Sequence, residues 1–266
     1  MKSRPGWILG LTLLLLAAVA VAAPGDWKKV GKEGDWKATL AGVIVNGKLF
    51  TAESSGALYE TDLAAGTWKK IGKDQFGKTK LMFNCQNALY TMESDGNLYA
   101  VNIADGSWKQ VGKSGDWVNS IAGLALNGKI YTIESSGKLY ETDPATGTWK
   151  ALGKDDFAKT KFMFEAGGQI YTIESDGNLY QVSPADGSWK QVGKSGDWVS
   201  TIAGVAMNGK IYTAESSGKL YETDPATGTW KALGKADFGN TRFIFAAGGS
   251  LYSIETSGNL YQISVQ

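Results

Sequence analysis

Apolar and polar residues in this chain fall into short alternating runs, each bounded by Gly, Asn, Asp, Ser or Pro. Beyond the first residues, no stretch has the 3.6-residue period of an amphipathic helix, so the pattern predicts strands and turns. Gly128–Lys154, GKIYTIESSGKLYETDPATGTWKALGK, shows the grammar. Ile130–Glu134, Leu139–Asp143 and Trp149–Leu152 read as strands rich in β-branched and aromatic residues. Ser135-Ser136-Gly137 supplies a tight turn and Pro144-Ala145-Thr146-Gly147 a loop. In the Ala38–Lys70 unit a further strand precedes these. Strand a is Thr39–Val45, and the Asn46-Gly47 hairpin signal leads into strand b, Lys48–Glu53. Strand c is Leu58–Asp62 and strand d is Trp68–Ile71.

The four-strand unit recurs. The tryptophan opening each WKxxGK segment stands at Trp27, Trp68, Trp108, Trp149, Trp189 and Trp230, at spacings of 40 or 41 residues. A period of 81 lies over this: Trp36, Trp117 and Trp198 recur in GDW, and Phe76, Phe157 and Phe238 hold the equivalent place between them. Units of about 40 residues with four strands each are the size of a β-propeller blade. The expected fold is all-β: a six-bladed β-propeller of four-stranded blades with pseudo-threefold symmetry, in one domain over residues 23–266. The N-terminal Trp27–Lys32 matches strand d alone, and Arg242–Ser264 matches strands a, b and c alone. Joined, they complete a sixth blade and remove two exposed sheet edges. Strand a, with its small and branched residues such as Ile121-Ala122-Gly123-Leu124-Ala125, is expected innermost.

The first residues stand apart from this pattern. Lys2 and Arg4 precede the uncharged apolar run Leu9–Val21, and Ala20-Val21-Ala22 has the small-x-small form of a signal-peptidase site. Residues 1–22 are therefore expected to be a signal peptide cleaved after Ala22, with an uncleaved anchor as the alternative. The protein would then be secreted or periplasmic, with no membrane span after signal removal. A net charge of +1 gives no electrostatic case for nucleic acid or anionic lipid. Cys85 is the single cysteine, so no intrachain disulfide forms, and it reads as a small buried residue where related repeats carry Ala166 and Ala247. The chain is expected to act as a monomer.

Composition also narrows the chemistry. There is no histidine, so the commonest general base and transition-metal ligand is missing. No nucleophile elbow, phosphate loop or dinucleotide fingerprint occurs, and the Asp143-Pro144 and Asp224-Pro225 loops lack the ladder of oxygen ligands that calcium needs. Every candidate acid is repeated, whereas a single active site breaks symmetry. The expectation is a binding protein: not an enzyme, with no cofactor and no metal.

Connectivity sorts the loops onto two faces. The b–c turns and d–a loops share one face and collect carboxylates, hydroxyls, lysines and aromatics from every blade. The a–b turns and c–d loops share the other. Four sets of residues on or near the first face could matter. Glu53, Glu93, Glu134, Glu174, Glu215 and Glu255 end strand b, and either accept ligand hydroxyls or brace their own turns. Trp36, Trp117 and Trp198, each preceded by Asp35, Asp116 or Asp197, set an indole beside a carboxylate; the pair either stacks a sugar ring or packs the d–a loop on the next blade. Phe76, Phe157 and Phe238 read as packing. Lys80, Lys161 and Arg242 stand in strand a where alternate blades carry Leu40, Ile121 and Ile202; the plain reading is an internal ion pair with a blade glutamate, the other a basic ring facing an acidic ligand near the axis. The Trp27 series reads as architectural.

The segment GGQIYTIESDGNLYQVSPADGSWKQVGKSGDW (Gly167–Trp198) resembles the tachylectin-2 and tectonin group of propeller lectins. That resemblance implies carbohydrate binding at several equivalent sites between blades. NGKIY and LYETDPATGTW resemble kelch repeats, which imply a scaffold rather than one activity. The leading expectation is multivalent carbohydrate recognition of glycans or a glycan-bearing surface, carried by Asp35, Trp36, Asp116, Trp117, Asp197 and Trp198 with Glu53, Glu134 and Glu215. The alternatives are an envelope scaffold with a protein partner and, more remotely, a propeller hydrolase or lactonase.

Overall fold

The computed structural model describes residues 22–266; the segment expected to direct export lies outside them except for Ala22. The described chain is all-β, with six sheets of four antiparallel strands arranged as the blades of a propeller. Blade 3 runs Ser120–Leu126, Lys129–Glu134, Leu139–Thr142 and Trp149–Leu152 as strands a to d. Its a–b hairpin turns on Asn127 and Gly128 at φ of 51° and 74°, the doubly positive combination that a type I′ turn needs. Blades 1, 2, 4 and 5 begin at Thr39, Thr79, Thr160 and Thr201. Blade 6 takes strands a to c from Thr241–Ala247, Ser250–Glu255 and Leu260–Ile263, and its fourth strand is Trp27–Val30. Trp27 pairs with Ile263 and Val30 with Leu260, so the N-terminal strand closes the ring as expected.

The first strands of successive blades touch round the axis. The apolar interior is divided among six clusters, one in each seam between blades. The seams alternate in kind. Those entering blades 1, 3 and 5 bury Trp36, Trp117 and Trp198; those entering blades 2, 4 and 6 bury Phe76, Phe157 and Phe238. In each tryptophan seam a phenylalanine of the preceding blade lies over a glycine of strand a. A Cβ built on Gly123 would come within 2.9 Å of Phe83, and one on Gly204 within 2.7 Å of Phe164. The 81-residue period is therefore a period of seam chemistry.

Strand a carries a bulge at its start. The pairing with strand b shifts between Thr39 and Ala41, and at the same place in every other blade. The extra residue is Leu40, Lys80, Ile121, Lys161, Ile202 or Arg242 in turn. A bulge re-aims a side chain out of the pleat; Ile202 still packs on the seam cluster, whereas Lys80, Lys161 and Arg242 reach the next blade. Cys85 is buried, and burial pushes its thiol pKa up.

Candidate functional site

The two tryptophan series have exchanged the roles expected of them. Trp36, Trp117 and Trp198 are each only 2% exposed. Their indole N–H groups donate to the hydroxyls of Thr61, Thr142 and Thr223 inside the seam, at 3.3–3.4 Å. Their ring faces are covered by the neighbouring blade, which corrects the expectation that they stack on a ligand.

The series that opens strand d is instead exposed by 46–49% at all six positions, Trp27, Trp68, Trp108, Trp149, Trp189 and Trp230. The reason is topological: strand d is the outermost strand of its blade and no further layer covers it. Each indole nonetheless has a fixed posture. Its ring sits edge-on against the strand c tyrosine, as in Trp149 on Tyr140 at 5.1 Å and Trp68 on Tyr59 at 4.8 Å. Its N–H donates to a side chain of the d–a loop: Trp68 to Asp35 at 2.9 Å, Trp149 to Asp116 and Trp230 to Asp197 at 3.1 Å. The other three donate to Gln75, Asp156 and Asp237. The aspartates singled out from sequence thus orient the exposed tryptophan of the same blade, rather than framing the buried one beside them. A signal was available for this: Asp or Gln stands 33 residues before strand-d tryptophans in every blade that reads continuously.

These groups frame a small pocket in blades 1 and 2. In blade 1 it has a volume of about 160 Å³ and is walled by Trp68, Tyr59, Asp35, Glu53 and Ser55, with Thr51 at its floor and one edge of Trp36 in its wall. In blade 2 the equivalent pocket, about 220 Å³, is formed by Trp108, Tyr99, Gln75, Glu93, Asp95 and Lys78. The floor hydroxyl is fully buried and makes no hydrogen bond within the protein; the same holds for Thr91, Thr132, Thr172, Thr213 and Ser253 at that position.

The six glutamates at the end of strand b divide into two groups. Glu53, Glu93 and Glu174 are buried and accept a bond from the strand a hydroxyls of Thr39, Thr79 and Thr160 at 2.7–2.8 Å. Glu134, Glu215 and Glu255 are half-buried, and the corresponding Ser120, Thr201 and Thr241 hydroxyls have no partner. Burial raises the pKa of all six carboxyls. Of the glutamates expected at the site, Glu53 both braces strand a and lines the blade 1 pocket, and Glu93 does the same in blade 2.

Lys80, Lys161 and Arg242 do not form the expected ion pairs. Each donates across a seam to backbone carbonyls of the next blade: Lys80 to Val118 at 3.0 Å, Lys161 to Thr201 at 3.0 Å, Arg242 to Lys37 at 3.0 Å and Thr39 at 2.6 Å. The bulge places their heads beyond the blade glutamates and above the neighbouring strand start. Among the described residues, no group of three Cys, Asp or Glu side chains is placed to hold a metal ion.

A family model described as outer membrane protein assembly factor BamB matches residues 19–151 and 108–266. Comparison with curated proteins gives no significant match. Among solved structures, a protein of unknown function from Bacteroides thetaiotaomicron superimposes with a TM-score of 0.68 at 14% identity, over 90% of this chain and 76% of that one. Virginiamycin B lyase from Staphylococcus aureus gives 0.62 at 8% identity, over 91% and 89%. YCF48, solved bound to D1 peptide, gives 0.60 at 14% identity, over 86% and 78%. At these identities the likeness is one of fold.

Proposed function

The chain belongs to the family described as outer membrane protein assembly factor BamB, and from that premise we propose that it is an exported scaffold of the cell envelope that holds a protein partner on the face bearing its b–c turns. One observation carries the reading: six exposed tryptophans, each held in the same posture by a tyrosine edge and an Asp or Gln acceptor. Tryptophan is the residue that most often dominates a protein interface, at about 2 kcal/mol or more when truncated. Repetition round a ring lets modest contacts add through avidity. The complex of YCF48 with D1 peptide gives a precedent for peptide capture on a related fold. Affinity recovery from envelope extract should yield a protein partner, and replacing Trp68, Trp149 and Trp230 together by Ala should lower recovery about tenfold or more. Undiminished recovery by the folded triple variant would overturn the reading.

Carbohydrate recognition at the same pockets is a second reading, favoured by the exposed indole beside Glu53 and the unpartnered Thr51 hydroxyl. An indole face suits the apolar side of a sugar ring, while carboxylate and hydroxyl meet its edge. The stacking residues are then Trp68 and its equivalents, with Asp35, Asp116 and Asp197 orienting them. A glycan array separates the two readings. Binding lost in the triple variant favours the sugar; a blank array alongside partner recovery favours the scaffold.

A further inference from the structure

Neither reading uses the axis. Lys80, Lys161 and Arg242 stand on the bulge of alternate blades, and among the described residues none has a carboxylate within 4.0 Å. Their carbonyl bonds leave N–H groups to spare: Arg242 donates one bond from each of two nitrogens and Lys161 donates one in all, of five and three N–H groups respectively. Beside Arg242 a cavity of about 400 Å³ runs down strand a from Arg242 to Ala246, flanked by Gly42–Ile44 and Ala203–Ala206, with Phe162 lining it from blade 4. Its wall is apolar apart from Arg242, and no carboxylate lines it. The Arg242 guanidinium lies 5.1 Å from the Phe243 ring centre and the Lys161 ammonium 5.6 Å from that of Phe162, and both rings belong to the wall. The nearest acids act from the blades: Glu53 feels Arg242 and Glu134 feels Lys80.

We propose that this axial cavity binds one small amphiphilic anion, a carboxylate head on an apolar body. The head meets Arg242, whose fork matches a carboxylate, and the body lies along Val43, Val205 and Phe245. Arg242 is the one cation of the wall, so one head is accommodated and the rest of the ligand is hydrocarbon. The volume falls within the range of about 300–1,000 Å³ usual for small-ligand sites. The proposal is independent of the partner reading, because it involves no rim tryptophan.

The test is titration calorimetry on the folded chain with decanoate, decanol and decyltrimethylammonium. Decanoate should bind at one per chain, decanol about tenfold more weakly, and the cation not measurably. Arg242→Gln should weaken decanoate about tenfold, with Arg242→Lys intermediate. Equal affinity for decanoate and decanol overturns the proposal, as does a stoichiometry of three or six, or unchanged affinity in folded Arg242→Gln. Should Arg242→Gln fail to fold for want of its seam bonds, Arg242→Lys and the three head groups on the unaltered chain decide the matter.

Discussion

At the scale of single residues, the alternating seams follow one rule: a buried donor comes with its acceptor. Trp36, Trp117 and Trp198 face Thr61, Thr142 and Thr223, while Phe76, Phe157 and Phe238 face Val101, Val182 and Ile263 at the same strand c position. The hydroxyl is present only where an indole N–H needs it. Thr142→Val should therefore cost about 1–3 kcal/mol by leaving the Trp117 N–H unpaired, whereas Trp117→Phe with Thr142→Val recreates the even-seam pair and should cost less than the sum of the single changes. Urea denaturation of both single variants and the double variant measures the coupling; strict additivity would remove the hydrogen bond from the account. This covariation was legible in the sequence. What was not legible was which tryptophan is covered. Both series are aromatic, repeated and next to polar residues, and burial depends on whether another layer lies beyond the strand. For Trp36 the next blade does; for Trp68 nothing does.

At the scale of elements, strand d has two sides with unlike demands. Its pattern in blade 3, Trp149 exposed and Leu152 buried, gives the blade one anchor into the seam and leaves the rest to solvent. Turn signals and Asn-Gly pairs were enough to place nearly every strand, since a hairpin with two positive φ values admits few other residues. The bulge was not visible, because it changes pairing without changing composition, and it moves Lys80, Lys161 and Arg242 off the blade glutamates. The closing strand is the element whose removal tests the ring. Trp27–Val30 pairs along its length with Leu260–Ile263, and Gly25 and Asp26 extend the contact to Ser264. A chain beginning after Lys32 exposes the edge of blade 6 and takes Val30 out of the blade 6 to blade 1 seam. It should unfold at a clearly lower temperature and self-associate through the bared edge, and a synthetic peptide carrying residues 24–32 should reverse both effects. Unaltered melting of the shortened chain would show that the ring holds without velcro closure.

At the scale of the whole molecule, six blades repeat one ionisable element, so a small local effect becomes a property of the ring. Burial raises the pKa of each strand b glutamate above its ordinary 4.5, with hydrogen bonds from Thr39, Thr79 and Thr160 opposing it at Glu53, Glu93 and Glu174. In the window above 4.5 the folded chain then holds more protons on these groups than the unfolded chain. Their contribution to stability is full below 4.5 and is lost as pH rises through the folded-state values. The c–d face works in the opposite sense. Asp62, paired with Lys48, is held down to about 2 from 3.8, and Asp143 and Asp224, paired with Lys129 and Lys210, are lowered for the same reason. Those exposed pairs contribute weakly, and what they contribute is present above 3.8 and lost as pH falls. The glutamate ring therefore predicts a decline in stability from mild acid toward neutrality. Replacing Glu53, Glu93 and Glu174 by Gln keeps an acceptor for each threonine and removes the titration. Urea midpoints across a pH series should fall from about 4.5 upward in the unaltered chain and fall less steeply in the triple variant, where Glu134, Glu215 and Glu255 still titrate. A slope undiminished by the three substitutions would remove Glu53, Glu93 and Glu174 from the account. A flat profile in the unaltered chain would mean that the pockets are wet enough to leave their carboxyls at ordinary values.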